Sequence, residues 1–283
     1  GDVFGITAGI LSEFGPKRIM DTPISENAIV GLAIGAASQG LRPVISLMFV
    51  DFIAVCYDQI INQMAKMKYM FGGKVKLPLT VLVNAGAGTG MAAQHSQSLE
   101  ALLCHIPGLK VVMPSMAADA KGLMTTAMRE DNPVFMIMHK RCSGIRGNVS
   151  EGDVTVPLGS AAVVREGSDA TIVATAYMVH EALKVADQLA QEGVEIEIID
   201  PRCLQPLDMD TIIESVRKTG RLLVVHEACR FGGIGGEIVA QVMEQEFAAL
   251  KVPPRRIGAP STPVPYNAKL EAAYIPGEQD IAA

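Results

Sequence analysis

Short runs of β-forming residues alternate with longer stretches of helical periodicity along most of this chain. In the first half, predicted strands cover 43–48, 78–84, 109–113 and 133–138, and predicted helices cover 27–39, 51–70, 96–105 and 117–129. Every fourth residue from Phe52 to Met64 is apolar, which predicts a helix face that packs on the core. Such alternation is typical of βαβ units around a mainly parallel sheet.

The pattern lapses between Lys140 and Asp153, where polar and glycine residues follow no helical or strand period. Beyond this segment, predicted strands cover 161–164, 171–174, 195–199 and 222–225, and predicted helices cover 178–192, 209–218 and 236–245. We therefore expect one domain at 1–150 and another at 151–283. The predicted fold class is α/β, with two consecutive open-sheet domains.

Composition and charge narrow the class of partner. The chain has 283 residues, of which 49% are hydrophobic, and this is enough for two domains with substantial cores. Its net charge is −6 and no Lys/Arg cluster exceeds two adjacent residues, which argues against nucleic acid or an anionic membrane as partner. The most apolar window, 44–55, contains Asp51 and is shorter than the roughly 20 apolar residues of a spanning helix. We expect a protein or small-molecule partner.

The five cysteines lie far apart and include no Cys-x-x-Cys pair. This spacing predicts neither a zinc site nor a disulfide framework, and it favours a reducing compartment. We expect a cytoplasmic location, or the mitochondrial matrix in a eukaryote. The chain opens on Gly1 and shows no secretion signal, so its start is expected to be processed or truncated.

Two glycine-rich turns raise the alternative of a dinucleotide site. The turn at 86–90 follows a predicted strand, but Met91 stands where the third glycine of a G-x-G-x-x-G motif would fall. The turn at 232–236 also misses that spacing. Such glycines can bring the backbone close to a ligand, but tight strand-to-helix connections are the commoner reason for them.

A single carboxylate, Glu26, stands where the chain enters a helix rich in small residues. One interpretation is a helix start, in which Thr22 or Ser25 caps the helix and Glu26 complements its dipole. The other is a half-buried carboxylate beside a ligand crevice. His95 follows the 86–90 turn at a predicted helix start, and a histidine there can exchange protons near neutral pH.

A series of motifs extends over essentially the whole chain and resembles one enzyme family. The motifs are Asp21-Thr-Pro-Ile-Ser-Glu26, Met48-Phe-Val-Asp-Phe52, Lys68-Tyr-Met-Phe-Gly-Gly73, Ala93-Gln-His-Ser-Gln97, Asp200-Pro-Arg-Cys-Leu-Gln-Pro-Leu-Asp208 and Tyr274-Ile-Pro276. The family comprises the beta subunits of thiamine-diphosphate-dependent 2-oxoacid dehydrogenases and acetoin dehydrogenase, within the transketolase-like enzymes. The chain looks most like the acetoin dehydrogenases.

The resemblance implies a pyrimidine-binding domain, whose N-terminal part is missing here, followed by a transketolase-like C-terminal domain. It also implies that thiamine diphosphate lies between this subunit and an alpha subunit in an alpha2beta2 heterotetramer. In this class a Gly-Asp-Gly motif binds the diphosphate through Mg²⁺, and the sequence contains none. The resemblance therefore assigns Mg²⁺ to the alpha subunit and no Mg²⁺ site to this chain. A dihydrolipoyl acyltransferase is the expected acceptor of the acyl group.

The same resemblance assigns roles to individual residues. Glu26 is expected to hydrogen-bond the aminopyrimidine ring nitrogen and to favour the imino tautomer that activates the cofactor. Phe52 is expected to stack on that ring, with Met48 beside it. His95 is expected to face the reacting carbons and to assist proton or acyl transfer. A potassium ion is implied near five residues: Leu79, Ala127, Met128, Glu130 and Asn132.

Several positions depart from the family pattern. Glu130 replaces the usual Asp, Leu82 an Arg, Met138 a Glu, and 141–143 an aromatic-ending segment. Acetoin is the expected substrate, with pyruvate and branched 2-oxoacids as alternatives. Two other hypotheses are a non-catalytic assembly subunit of the same fold and a stand-alone NAD-binding protein.

Overall fold

A computed structural model describes residues 3–283, which form two five-stranded sheets. The first sheet has the order β1-β2-β4-β3-β8 and the second the order β10-β9-β6-β7-β5. The strands are β1 (Val44–Phe49), β2 (Thr80–Ala85), β3 (Lys110–Val112), β4 (Val134–His139), β5 (Ala162–Arg165), β6 (Ala170–Ala174), β7 (Ile196–Asp200), β8 (Cys203–Gln205), β9 (Leu222–Cys229) and β10 (Arg255–Ala259).

Helices flank both sheets. They are α1 (Ile10–Phe14), α2 (Glu26–Ser38), α3 (Met67–Met70), α4 (Glu100–Cys104), α5 (Ala117–Arg129), α6 (Tyr177–Ala190), α7 (Met209–Thr219), α8 (Ile234–Glu246), α9 (Ala268–Tyr274) and α10 (Glu278–Ala282). None of the helices within residues 3–283 is long and apolar enough to cross a membrane.

Most strand pairs are parallel, as the alternating pattern predicts. The exceptions are the two edge strands β5 and β8, which pair antiparallel with β7 and β3. β8 lies late in the chain yet completes the first sheet, where the Met113 amide donates to the Arg202 carbonyl at 2.8 Å. The second half of the chain is therefore built into both sheets.

The buried faces explain why these segments form these elements. β2 and β4 lie side by side in the interior of the first sheet, and Val81, Val83, Phe135 and Ile137 are fully buried. Near-continuous apolar runs of this kind are typical of parallel strands covered on both faces. The helices α2 and α6 bury one apolar face each, which leaves their other faces to solvent.

The predicted helix over 51–70 is wrong in one respect. The segment forms a 3₁₀ helix at Val50–Cys56, a π-helix at Gln59–Met64 and then α3. Residues four apart drift about 40° around an ideal α-helix at each step, so a strict four-residue stripe turns away from the core. The wider π turn, in which the Ala65 amide donates to the Ile60 carbonyl at 3.0 Å, reduces this drift.

Other differences concern short elements. The predicted helix over 96–105 is only Glu100–Cys104, so His95 lies in a loop and not at a helix start. The strands β8 and β10 and the helices α1, α9 and α10 were not predicted. Each spans seven residues or fewer, which is too short for a clear period.

Candidate active site

Three aromatic rings cluster where β1 ends and the following 3₁₀ turn begins. The His95 ring lies 4.8 Å from the Phe49 ring, nearly perpendicular to it at 89°. It lies 5.2 Å from the Phe52 ring, also edge to face. Phe49 is buried, whereas Phe52 and His95 are half-buried and therefore accessible to a ligand. The structure thus brings together two of the predicted site residues, Phe52 and His95.

Met48 adopts an unusual backbone conformation beside this cluster. Its φ of 61° is left-handed, which is rare for a residue other than glycine. The β1–β2 register shifts between Ser46 and Phe49, and the Asn84 side-chain amide donates to the Met48 carbonyl at 2.7 Å. Strained backbone of this kind persists only where its surroundings hold it, and it concentrates at functional sites. Asn84 is one such support.

Glu26 is the first residue of α2, as the helix-start interpretation expects, and it is half-buried. The predicted cap is wrong, because Ser25 is the N-cap residue but its side chain makes no capping hydrogen bond. Burial raises the pKa of the Cys56 thiol to about 11, and the negative charge of Glu26 adds to this rise. Glu26 therefore lies close to the 3₁₀ segment that carries Phe52.

The 86–90 turn uses its backbone N–H groups within the chain. The Ala87 amide donates to Glu227 at 2.6 Å, and the Gly88 amide donates to Glu271 at 2.8 Å. The Gly90 amide also donates to Glu271, at 3.1 Å. Two carboxylates thus take the donors that a dinucleotide pyrophosphate would need, and their negative charge would repel it. These hydrogen bonds argue against a dinucleotide site at the 86–90 turn.

Sequence reasoning missed a buried polar pair behind the cluster. His139 ends β4 and Glu227 lies in β9, and their side chains meet at 3.0 Å between Nε2 and Oε2. The Arg141 amide donates to His139 Nδ1 at 3.2 Å, so the proton of a neutral imidazole is on Nε2 and points at Glu227. Burial alone would raise the pKa of Glu227, but His139 and the Ala87 amide outweigh it and hold the pKa below its ordinary value.

A second buried acid, Glu100, lies near this pair. Burial raises the pKa of Glu100 to about 7, and the charge of Glu227 adds to the effect. Its Oε2 atom has no hydrogen-bond partner among the described residues, and the same holds for Oδ2 of Asp51 and Oδ1 of Asn84. The signal that could have found Glu100 and Glu227 is a charged residue within a buried stretch of strand or helix.

The residues of the predicted potassium site lie before β2 and before β4, at the opposite end of the first sheet. The Arg42 guanidinium donates to the carbonyls of Met128 at 3.3 Å and Glu130 at 3.1 Å. The carbonyls of Leu79 and Ala127 accept backbone N–H groups, and the side-chain oxygen of Asn132 accepts from Lys68. An ion bound there would share its oxygens with an arginine.

The departures from the family pattern have a simple packing explanation. Leu82 and Met138 pack on the same apolar cluster as Leu123 and Met136. Replacement of a buried ion pair by apolar side chains is often neutral or stabilising. Arg141 has a different partner, since its guanidinium lies 3.6 Å from the centroid of the Tyr177 ring.

Comparison with known proteins identifies the family. Residues 1–144 match the model of the transketolase pyrimidine-binding domain, and residues 159–281 match that of the transketolase C-terminal domain. The chain is 51% identical, over its full length and 83% of the relative, to the beta subunit of acetoin:2,6-dichlorophenolindophenol oxidoreductase from Cupriavidus necator. The chain belongs to this family of transketolase-like dehydrogenase beta subunits.

Other relatives and a solved structure agree with this assignment. The chain is 44% identical, over 98% of its length and 86% of the relative, to the pyruvate dehydrogenase E1 beta subunit of Rickettsia bellii. A solved chain described as a split-gene transketolase, inactive beta4 tetramer, is 25% identical with a TM-score of 0.80, over 98% of this chain and 86% of that one. The predicted family and the predicted α/β fold class are confirmed.

Proposed function

We propose that this beta subunit provides the activating half of a thiamine diphosphate site and acts with an alpha subunit on acetoin. The observation that carries the proposal is the arrangement of Glu26, Phe52 and His95 around the end of β1. The Phe52 and His95 rings are in contact there, and the half-buried carboxylate of Glu26 lies close enough to act electrostatically on Cys56 of the same 3₁₀ segment. Family membership supports the cofactor class, and the roles proposed for the three residues are those that the resemblance implies.

The residues fit the aminopyrimidine ring of the cofactor. Phe52 offers an accessible aromatic face for stacking, and Met48 is held in a fixed left-handed conformation beside it. Glu26 would hydrogen-bond the ring nitrogen and share its proton with it, and its half-buried position would keep water from competing for that hydrogen bond. When bound, thiamine diphosphate supplies the electron sink for cleavage of the carbon–carbon bond next to a carbonyl.

His95 would move a proton at the substrate side of the site. Its ring is fixed edge-on by Phe49 and Phe52 yet keeps part of its surface exposed. A positioned imidazole of this kind can donate to or accept from the oxygen of a reacting carbonyl or hydroxyl group. Acyl transfer to the lipoyl group of a dihydrolipoyl acyltransferase is the step that would follow.

Exposed apolar side chains on and around α2 and α3 support an alpha partner. Ile24 is 95% exposed and Tyr69 is 89% exposed, and Phe71 and Leu32 also face solvent. Large exposed apolar groups on neighbouring elements are typical of protein interfaces. We therefore propose an alpha2beta2 assembly that closes the site, with Mg²⁺ and the diphosphate on the alpha subunit.

The substrate is proposed from similarity to the acetoin oxidoreductases, with pyruvate and branched 2-oxoacids as alternatives. Potassium at the Met128 and Glu130 carbonyls stays a prediction, and no step of the proposed chemistry depends on it. A location in the cytoplasm, or in the mitochondrial matrix of a eukaryote, is proposed from the unpaired cysteines.

The test is to produce the chain with its alpha partner and to measure dye reduction. Acetoin-dependent reduction of dichlorophenolindophenol should require both thiamine diphosphate and Mg²⁺. Pyruvate and a branched 2-oxoacid are assayed in parallel to assign the substrate. A stable assembly without turnover on any of the three would contradict the proposal and favour a non-catalytic assembly subunit.

A further inference from the structure

Lys140 is a buried cation next to the candidate site that the chemistry above does not use. It follows β4 directly, and only 5% of its surface is exposed. Its ammonium makes its polar contacts with neutral groups: it donates to the His95 carbonyl, and it lies 3.5 Å from the Ser96 hydroxyl and 3.8 Å from the Met91 sulfur. All three partners belong to the loop that carries His95.

A buried lysine requires a specific reason, because removal of its charge from water is costly. Burial lowers the pKa of Lys140, while the charges of Asp51, Glu227 and Glu271 oppose this effect. None of these three carboxylates forms an ion pair with the ammonium at 4.0 Å or less among residues 3–283. The contacts of Lys140 therefore secure the 91–96 loop and not a carboxylate.

Lys140 also contacts the ring that holds the His95 side chain. Its ammonium lies 5.8 Å from the centroid of the Phe49 ring, within the range of a cation–π interaction. Phe49 in turn makes the edge-to-face contact with His95 at 4.8 Å. One ammonium therefore acts on His95 twice, through the backbone carbonyl and through the aromatic neighbour.

Few other hydrogen bonds hold the backbone of the 91–99 loop near His95. Residues 91–99 form neither a helix nor a strand, and the His95 amide makes only a long contact of 3.4 Å with the Ala92 carbonyl. The next anchor is Gln97, whose amide and side chain donate to Asp51 at 3.1 Å and 2.9 Å. Loss of Lys140 would leave the His95 carbonyl without its donor and free the imidazole to shift. A displacement of about 1 Å at a reacting group can cost about 10²-fold in rate.

We infer that Lys140 is the positioning residue for His95, which it fixes by holding the His95 carbonyl and the Phe49 ring together. This inference rests on the proposed function, in which His95 acts on the substrate. It predicts a much larger effect of Lys140 on the chemical step than on cofactor binding, because the polar contacts of its ammonium are all with the loop that carries His95.

The experiment uses the chain assembled with its alpha partner and saturated with thiamine diphosphate and Mg²⁺. Four variants are compared with the wild type: Lys140→Met, His95→Ala, the double variant, and Lys251→Met. Lys251 is the matched control, since its ammonium also donates to a backbone carbonyl, that of Thr219 at 3.0 Å, next to the second sheet. Lys140→Met should lower kcat about 10²-fold, with KM for acetoin and the cofactor Kd changed less than about 3-fold. Lys251→Met should leave kcat within about 2-fold of the wild type.

The double variant decides whether Lys140 acts through His95. If it does, Lys140→Met should cost less than about 3-fold once His95 is already alanine, because effects of residues that act as a unit do not multiply. A further loss of about 10²-fold in the double variant, or a kcat of Lys140→Met close to wild type, would overturn the inference. If Lys140→Met fails to assemble, Lys140→Gln is tested in the same cycle, since it removes the charge but keeps an N–H donor. Wild-type turnover by His95→Ala would instead refute the proposed role of His95, and the inference with it.

Discussion

The imidazole of His139 donates a hydrogen bond of 3.0 Å to the carboxylate of Glu227 and so joins the ends of strands from two different sheets. His139 is 1% exposed and Glu227 is 5% exposed, so water cannot replace either partner. The Glu227 carboxylate also accepts a hydrogen bond from the Ala87 amide of the 86–90 turn. Glu227 therefore fixes the turn that precedes the His95 loop from the opposite sheet.

Removal of one member of this pair should be strongly destabilising. His139→Ala leaves Oε2 of the buried Glu227 without its donor, which should cost about 2–4 kcal/mol in the free energy of unfolding. Asp153→Ala is the control, because it breaks an ion pair with Arg129 in which both side chains are more than half exposed, and it should cost less than about 1 kcal/mol. Urea unfolding followed by circular dichroism measures both. Equal midpoints for the two variants would be evidence against the buried contact.

Glu100 should make stability depend on pH. Its pKa is about 7 in the folded chain against an ordinary 4.5, so the folded state binds the proton more tightly than the unfolded state does. The resulting stabilisation is fully present below pH 4.5 and is lost as pH rises towards 7. The loss should amount to roughly 3 kcal/mol, and Glu100→Gln should remove it.

The measurement is the free energy of unfolding at several pH values between 4.5 and 8, for the wild type and Glu100→Gln. The exposed Glu192→Gln serves as control and should follow the wild type. Superimposable pH profiles for the wild type and Glu100→Gln would show that the Glu100 proton does not contribute.

The 86–90 turn should tolerate a side chain at Gly90 better than at Gly86. A Cβ atom at Gly86 would overlap the His139 ring, whereas Gly90 has open space around it. Both have positive φ, 94° and 69°, so backbone strain is common to the two substitutions. Gly86→Ala should therefore lower the unfolding temperature by several degrees more than Gly90→Ala, because it also displaces His139. Similar losses would mean that strain alone matters here.

The exposed apolar side chains on and around α2 and α3 should be needed for assembly with the alpha subunit. A charge introduced by Tyr69→Asp should reduce co-purification of the partner at least about 10-fold, because a buried unpaired charge opposes association. Phe247→Asp is the control on an exposed residue next to the second sheet. Undiminished assembly of Tyr69→Asp would show that the alpha subunit binds a different surface of this chain.

Local sequence signals predicted the parts of this structure that depend on neighbours along the chain. The start of α2 at Glu26 follows from the small-residue run after a polar segment, and Cys56, Ile60 and Met64 of the predicted stripe are buried even though their helix is irregular. Long-range pairings gave no such signal. β8 is three residues long, lies between Pro201 and Pro206, and pairs with a strand about 90 residues earlier.

The same difference between local signals and long-range contacts applies to the candidate site. Glu26, Phe52 and His95 lie in motifs that resemble a family, so their roles could be proposed before any geometry was known. The supports of the site could not, because each joins distant parts of the chain: Lys140 to His95, Asn84 to Met48, and His139 to Glu227. A period or a spacing motif reports only on residues close in sequence.

The role of Glu26 is the central claim, and one substitution tests it most directly. Glu26→Gln keeps the shape of the side chain but cannot hold a proton shared with the cofactor ring. In the assembled enzyme at saturating thiamine diphosphate, acetoin-dependent dye reduction by Glu26→Gln should fall about 10²–10⁴-fold, with assembly unchanged and with Glu192→Gln close to wild type. Turnover by Glu26→Gln within about 3-fold of the wild type would contradict the account.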